Sequence, residues 1–554
     1  MARVDNLSNF LIDVADAIRS KSGITGPIPA NNFDGVILNI PSGVVELGCE
    51  IIISEEVSEE SQLLWLTNVS FYNNSISRLF ESCRNLTTVP NLNTSNVTNM
   101  SGTFYYCENL TTAPNFDTSN VTNMASMFSS CSSVTTIPEF NTNNVTDMAG
   151  MFYYCSNLTT IPNFNTSNVT SMFSMFEDSG ITTVPNLNTS NVTNMADMFY
   201  FCSNLTTVPN FNTNNVTDMG GMFRYCFNLT AVPDFNTSNV TDMTSMFSGS
   251  GLTTLPNFDT SKVINMAGMF NGCPITTTPN FDTSNVTSMG GMFGGCSKLT
   301  TVPEYNTNNT PDMSSMFLRC NGLTNIPSFN ISGASNVYSM FSSCANLIFV
   351  SNFNMSNITN MCNMFYYCGK LANVSNFNIN NVSNMYNMFT GCFNLTTVSD
   401  FNANNINNMY NMFKGCRNLT TVSNFNISNV NEISGMFSDC ENLTTISNFN
   451  TNNVTNMAGM FRYCENLTTV PEFNITSVTN IGSMFANCNK LTNQSLQNIA
   501  NSLIQLLTVN SSFSRKNISN TNRYSPFYNS NKQLNVATIG QDLVDQLTSV
   551  GWIL

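Results

Sequence analysis

The chain has 554 residues, 42% apolar, 11% aromatic and only 9% charged, with a formal net charge of −15. Charge is far scarcer than the roughly 25% of ordinary globular proteins, yet the apolar and aromatic content excludes a disordered tract. No basic cluster is present to track a phosphate backbone, and no run of 18 apolar residues occurs, which argues against nucleic acid as a partner and against membrane insertion.

The opening stretch, MARVDNLSNFLIDVADAIRSKSG, places acidic residues inside its apolar segment and is unlike a secretory signal peptide. Leu7, Phe10, Leu11, Val14, Ala15 and Ile18 share one helical stripe, and Phe33, Val36, Ile37 and Ile40 form a second. Roughly 40 residues bury little alone. Residues 1–43 are therefore expected to be a small helical module that attaches to a partner, or else docks onto the neighbouring part of its own chain. Residues 44–75 lack the later repeat and read as strands that cap an open edge.

From residue 76 to 491 the phenylalanine of an M-F pair recurs 18 times, from Phe80 to Phe485. Fourteen of the 17 intervals are 24 residues and three are 23. Such a period predicts a solenoid with one coil per unit. At about 4.8 Å per stacked strand, the coils are expected to build a rod or arc on the order of 90 Å. Within a unit, the β-branched run from Leu86 to Val89 reads as the strand, ended by Pro90. The N-M-x-G-M-F segment suits a short helical turn, and N-T-S-N-V is turn chemistry. Met and Phe columns are expected to fill the core.

The chain has 18 Cys and no His. Sixteen Cys stand three residues after the marker Phe, and Ser179 and Ser250 replace the other two. Metal ligation is disfavoured, because zinc needs close Cys pairs or His. A buried ladder of small side chains is the leading reading. Disulfides between neighbouring rungs remain an alternative, since one strand spacing permits the Cα distance. The three short intervals all lose a residue just after this column, as a tight turn tolerates.

Residues 492–554 are expected to form an α-containing cap, with an apolar helix at Leu496–Leu507, a polar loop, and a final helix near Val536–Leu547. Catalysis finds no support, because without His there is no Ser-His-Asp or Cys-His pair; no cofactor is implied. Triplets such as Asn85-Leu86-Thr87 read as stacked Asn ladders rather than glycosylation sites.

The unit NVTNMAGMF, then a cysteine and NLTTVPNF, resembles the repeat of BspA-like leucine-rich repeat surface proteins. That resemblance implies a leucine-rich-repeat-like solenoid, an extracellular setting and binding rather than catalysis. The stretch from Ala15 to Gly23, with LTNQSLQNIANSL and the VGW near the end, is similar to modules of phage and prophage tail proteins. It implies a virion tail fibre or receptor-binding protein attached through Leu7, Phe10, Leu11, Val14, Ile18, Phe33 and Ile37 to tail or baseplate proteins. Such fibres are often homotrimers, and the target would be a glycan or protein of the host cell surface. The alternative is a cellular surface adhesin of the same repeat family, or a scaffold.

The two positions after the marker Phe vary most, and tyrosines gather there: Tyr105, Tyr106, Tyr153, Tyr154, Tyr200, Tyr225, Tyr366, Tyr367 and Tyr463. Tyr supplies large amphipathic contact area, so these residues form the candidate binding face. The competing reading is an exposed turn under no selection.

Overall fold

The computed structural model describes residues 45–46, 63, 66, 69–71, 74–326, 331–350, 355–374, 379–398, 404–422, 427–509, 526–527, 534 and 536–549. Leu7, Phe10, Leu11, Val14, Ile18, Phe33 and Ile37 lie outside the described residues, as does Cys49. The chain divides into two compact units, Met1–Val263 and Ile264–Leu554. The same coil is repeated within each.

The segment expected to be a helical turn is instead a run of tight turns laced to the next coil. In the coil of Phe104, the amides of Gly102, Phe104 and Tyr106 donate to the carbonyls of Ala125, Met127 and Ser129 at 2.8, 2.9 and 2.9 Å. The amides between them, of Thr103, Tyr105 and Cys107, donate three residues back, to Met100, Gly102 and Phe104. The reason is a left-handed backbone two residues on either side of the marker Phe, with φ of 61° at Gly102 and 63° at Tyr106. A right-handed helix cannot pass through such residues.

The strand column also differs from expectation. Leu-Thr-Thr-Val columns pair only as two-residue parallel strands, β3 (Asn325–Ile326), β4 (Phe349–Val350) and β5 (Asn373–Val374), and as the bridges Thr112–Thr136 and Thr445–Thr469 among the described residues. Earlier in the chain, β1 (Val45–Glu46) pairs with β2 (Val69–Ser70), also in parallel. The regular parallel ladder runs instead through the residue five before the marker: Asn99, Asn123, Asp147, Ser171, Asn194, Asp218 and Asp242 in the first unit. In the second it runs from Asn265 to Asn480. Its side chains cap the adjoining turn, as where Asn99 Oδ1 accepts from the Ser101 amide at 3.0 Å and Asp147 Oδ1 from Ala149 at 3.0 Å. Proline closes the Leu-Thr-Thr-Val run with a sharp bend, its carbonyl accepting from the amide two residues on (Phe116 to Pro114, 3.1 Å).

Inside, the marker phenylalanines stack. Ring centroids of Phe80, Phe104 and Phe128 are 5.3 Å apart from one coil to the next, and a second column of Phe116, Phe140 and Phe164 leans on the first at 6.0–6.4 Å. The ladder cysteines are buried thiols, and 14 of them donate to the marker carbonyl of the preceding coil, as Cys107 Sγ does to Phe80 O at 3.0 Å. Where Ser179 stands in the column, its hydroxyl lies 3.5 Å from Cys202 Sγ. Polar ladders run alongside. Buried Thr94, Thr118 and Thr142 hydroxyls donate to carbonyls of the next coil at 2.9, 3.0 and 2.9 Å. Asn120, Asn144 and Asn168 amides reach the preceding coil at 2.8, 2.8 and 2.7 Å. These asparagines sit in N-x-T triplets, and the ladder is what they serve.

At the end of the second unit, α1 (Asn493–Val509) lies across the last coil. Ser495 and Ser502 hydroxyls accept from the Val470 and Phe473 amides at 3.0 and 2.9 Å, occupying donors that a further coil would otherwise take. The chain continues through α2 (Val536–Ile539) and α3 (Gln541–Ser549), separated by Gly540 at φ 86°. Leu496–Leu507 falls within α1; the single final helix expected near Val536–Leu547 is two, because Gly540 breaks it.

Candidate recognition face

The tight-turn segment presents four columns outward: two and three residues before the marker Phe, and one and two after it. All nine candidate tyrosines stand in the last two. Tyr154 and Tyr367 are each 47% exposed, and Tyr106 and Tyr153 each 36%; the other five are half-buried. The column is not conformationally neutral. Tyr106, Tyr154, Tyr225, Tyr367 and Tyr463 all hold φ between 55° and 63°, a region that bulky side chains enter at a cost. Glycine occupies the same position at Gly249, Gly272, Gly295, Gly391 and Gly415, where it is unstrained.

The nine tyrosines do not form one patch. In the first unit Tyr105 and Tyr106 meet edge-on at 4.6 Å, with the Arg84 guanidinium 5.8 Å from the Tyr106 ring. Tyr153 and Tyr154 make a second pair at 6.4 Å. The third group is the largest, and it contains residues that a tyrosine-only reading missed. Phe201 lies 5.8 Å from Tyr225 and 5.9 Å from Phe227, both edge-on, and Tyr200 lies 5.8 Å from Tyr225. Arg224 rests 5.0 Å from the Tyr225 ring and 5.5 Å from Tyr200. Phe201 and Phe227 are 40% and 52% exposed. The signal for Phe201 was present in the Tyr-Phe pair at 200–201, whereas Phe227 stands four residues after its marker, outside the two columns read.

In the second unit Tyr366 and Tyr367 meet at 4.6 Å, and Tyr367 meets Phe393 edge-on at 6.1 Å. Tyr463 carries Arg462 at 5.0 Å. A neighbouring column adds Tyr386 and Tyr410, stacked at 5.1 Å, and Tyr338, which accepts from Asn363 Nδ2 at 3.2 Å. Cys362, outside the cysteine ladder, is buried in this column.

Electrostatics around the first unit's face come from partly dehydrated acids. Burial raises the carboxyls of Glu177, Asp178, Asp197 and Asp218, with Arg224 pulling Asp197 back down. Tyr153 is raised by burial and by Glu177 and Asp178. The ladder thiols offer no nucleophile: burial pushes Cys155, Cys202, Cys344 and Cys488 up to about 12. No cluster of acidic, Cys or His side chains able to hold a metal occurs among the described residues. No helix among them is long and apolar enough to cross a membrane.

Solved structures similar to the chain include leucine-rich repeat proteins from Bacteroides ovatus and Eubacterium ventriosum. The first is 16% identical, with 63% of this chain and 82% of that chain covered and a TM-score of 0.35. The second is 18% identical, with 52% and 78% covered and a TM-score of 0.34. A leucine rich cell surface protein from Faecalibacterium prausnitzii is 17% identical, with 65% and 82% covered and a TM-score of 0.28. No curated protein matches the chain. The fold is a leucine-rich-repeat solenoid, and the family described as "Mycoplasma protein of unknown function, DUF285" matches residues 74–184, 181–274, 250–348, 346–444 and 418–535. These five tandem matches take in the whole run of coils, and the chain belongs to that family.

Proposed function

We propose that the protein is a non-enzymatic adhesin of a bacterial cell surface, whose outward turn columns contact a glycan or protein on another cell. The observation that carries this reading is the group of Tyr200, Phe201, Arg224, Tyr225 and Phe227. Large rings are held exposed there, two of them on strained backbone, where serine or glycine serves the fold in other coils. Aromatic and arginine side chains dominate recognition hot spots. A scaffold without direct contact has no need of them. The virion reading rests on Ala15–Gly23, outside the described residues, and on the C-terminal stretch; the surface adhesin, which rests on the coils and their exposed rings, takes precedence.

Beads coated with the full chain should adhere to cultured animal epithelial cells. Phe201→Ala with Phe227→Ala should cut adhesion at least fivefold with an unchanged unfolding midpoint. Full adhesion by that variant would remove the cluster as the contact.

A further inference from the structure

The second unit has a shallow groove of about 340 Å³ on the same turn columns. Its lining includes Tyr410, Lys414 and Arg462, with Gly435, Gly459 and Gly482 among the small residues. Lys414 and Arg462 share a column, with Ser438 of the intervening coil between them. Neither makes an ion pair with any described residue, in a chain of net charge −15; Arg462 rests on Tyr463 instead. Two carboxylates stand near, and both are engaged: Asp439 accepts from the Ser438 hydroxyl at 2.7 Å, and Glu432 accepts from the Ser434 amide at 2.7 Å and from Asn456 Nδ2 at 2.9 Å. Neither carboxylate forms an ion pair with Lys414 or Arg462.

Polar groups complete the lining. Ser434 is only 5% exposed, and its hydroxyl, which lines the groove, makes no hydrogen bond to any described residue. Its amide is already committed, donating to Glu432 at 2.7 Å. This hydroxyl is free to bond water or a ligand. Asn411 and Asn480 add side-chain amides to the lining.

We infer that this groove binds an acidic saccharide. The two cations face its carboxylate, Tyr410 covers a sugar ring face, and Ser434, Asn411 and Asn480 meet its hydroxyls. A neutral sugar leaves the cations unanswered, and a bare anion leaves the tyrosine ring and the serine hydroxyl unanswered. The inference deepens the recognition reading and rests on it only in taking the turn columns as the ligand-facing side.

Calorimetry of the full chain with 3′-sialyllactose and with tetragalacturonate tests it, against lactose and inorganic phosphate. At least one acidic probe should bind tenfold or more tightly than lactose and than phosphate. Lys414→Ala with Arg462→Ala should weaken that binding at least tenfold at an unchanged unfolding midpoint. Ser434→Ala, which removes the hydroxyl alone, should weaken it severalfold. Binding of neither acidic probe, equal binding of lactose, phosphate binding as tightly as the saccharides, or an unaffected double variant each overturns the inference. Adhesion assays separate the two readings. If the Phe201/Phe227 variant loses adhesion while neither acidic probe binds, the adhesin stands and the groove falls. If the probes bind while no variant alters adhesion, the groove stands and the adhesin falls.

Discussion

Tyr154 carries two opposed demands. Its φ of 55° suits glycine or asparagine, yet it holds an exposed aromatic ring. An L-residue in this region costs roughly 1–2 kcal/mol, and β-branched residues fare worst. Tyr154→Gly should therefore hold or raise the free energy of urea unfolding, by up to about 1 kcal/mol, while Tyr154→Val should lower it by about 1 kcal/mol or more. A Gly variant as destabilised as the Val variant would show that ring packing, not backbone strain, dominates. The variability of this column was legible in the sequence; its left-handed backbone was not, although the glycines at 249, 272, 295, 391 and 415 announced it. Reading for tyrosine alone also hid Phe201, because the ring that matters is defined by its place in the coil rather than by its hydroxyl.

A coil has few residues with which to turn several corners, and this explains both the legible and the illegible parts of its conformation. The Phe, Met, Cys and Leu columns were readable because burial admits few alternatives. The strand was misplaced because β-branched residues mark a pleated surface only where the chain stays extended. Here proline cuts the Leu-Thr-Thr-Val run short, and the regular ladder moves to Asn99 and its counterparts, whose side chains also cap the next turn. The shortened coils obey the same logic. With one residue missing after Ser179, the Gly180 amide donates to Cys155 O at 3.1 Å, and a Cβ on Gly180 would stand 2.2 Å from the Ser156 carbonyl oxygen. Backbone cannot yield as a side chain tip can. Gly180→Ala should cost about 2 kcal/mol or more in denaturant unfolding, within the range for overpacking; a loss under about 0.5 kcal/mol would mean the shortened corner relaxes. Gly459→Ala, where the nearest atom is 3.9 Å away, should cost less, through its φ of 60° alone.

Over the whole chain, buried thiols take the place of titrating histidines. The sequence has no His, and in the folded state burial lifts the ladder thiols far above their ordinary range, to about 12 at Cys155 and Cys344. Unfolded thiols ionise near about 8.5, so above that pH the unfolded chain releases protons that the folded chain retains. Stability is then complete below the unfolded value and falls as pH rises towards the folded one. Each such thiol removes up to about 1.4 kcal/mol per pH unit, and the ladder multiplies the loss. The urea midpoint should hold between pH 6 and about 8 and collapse between about 9 and 10; a midpoint still level at pH 10 would mean the thiols are hydrated. The lacing between coils has a further consequence, for heredity rather than stability. Between coils, backbone bonds from the marker segment reach the adjoining coil, at a spacing of 22 or 23 residues. Unequal crossing-over between repeats, which adds or removes a whole unit, leaves every column in register and α1 on the last coil. A single inserted residue away from the Ser179 corner displaces all the columns of its coil at once. Length can thus vary among descendants in coil-sized steps, each step bringing or discarding one complete set of outward side chains.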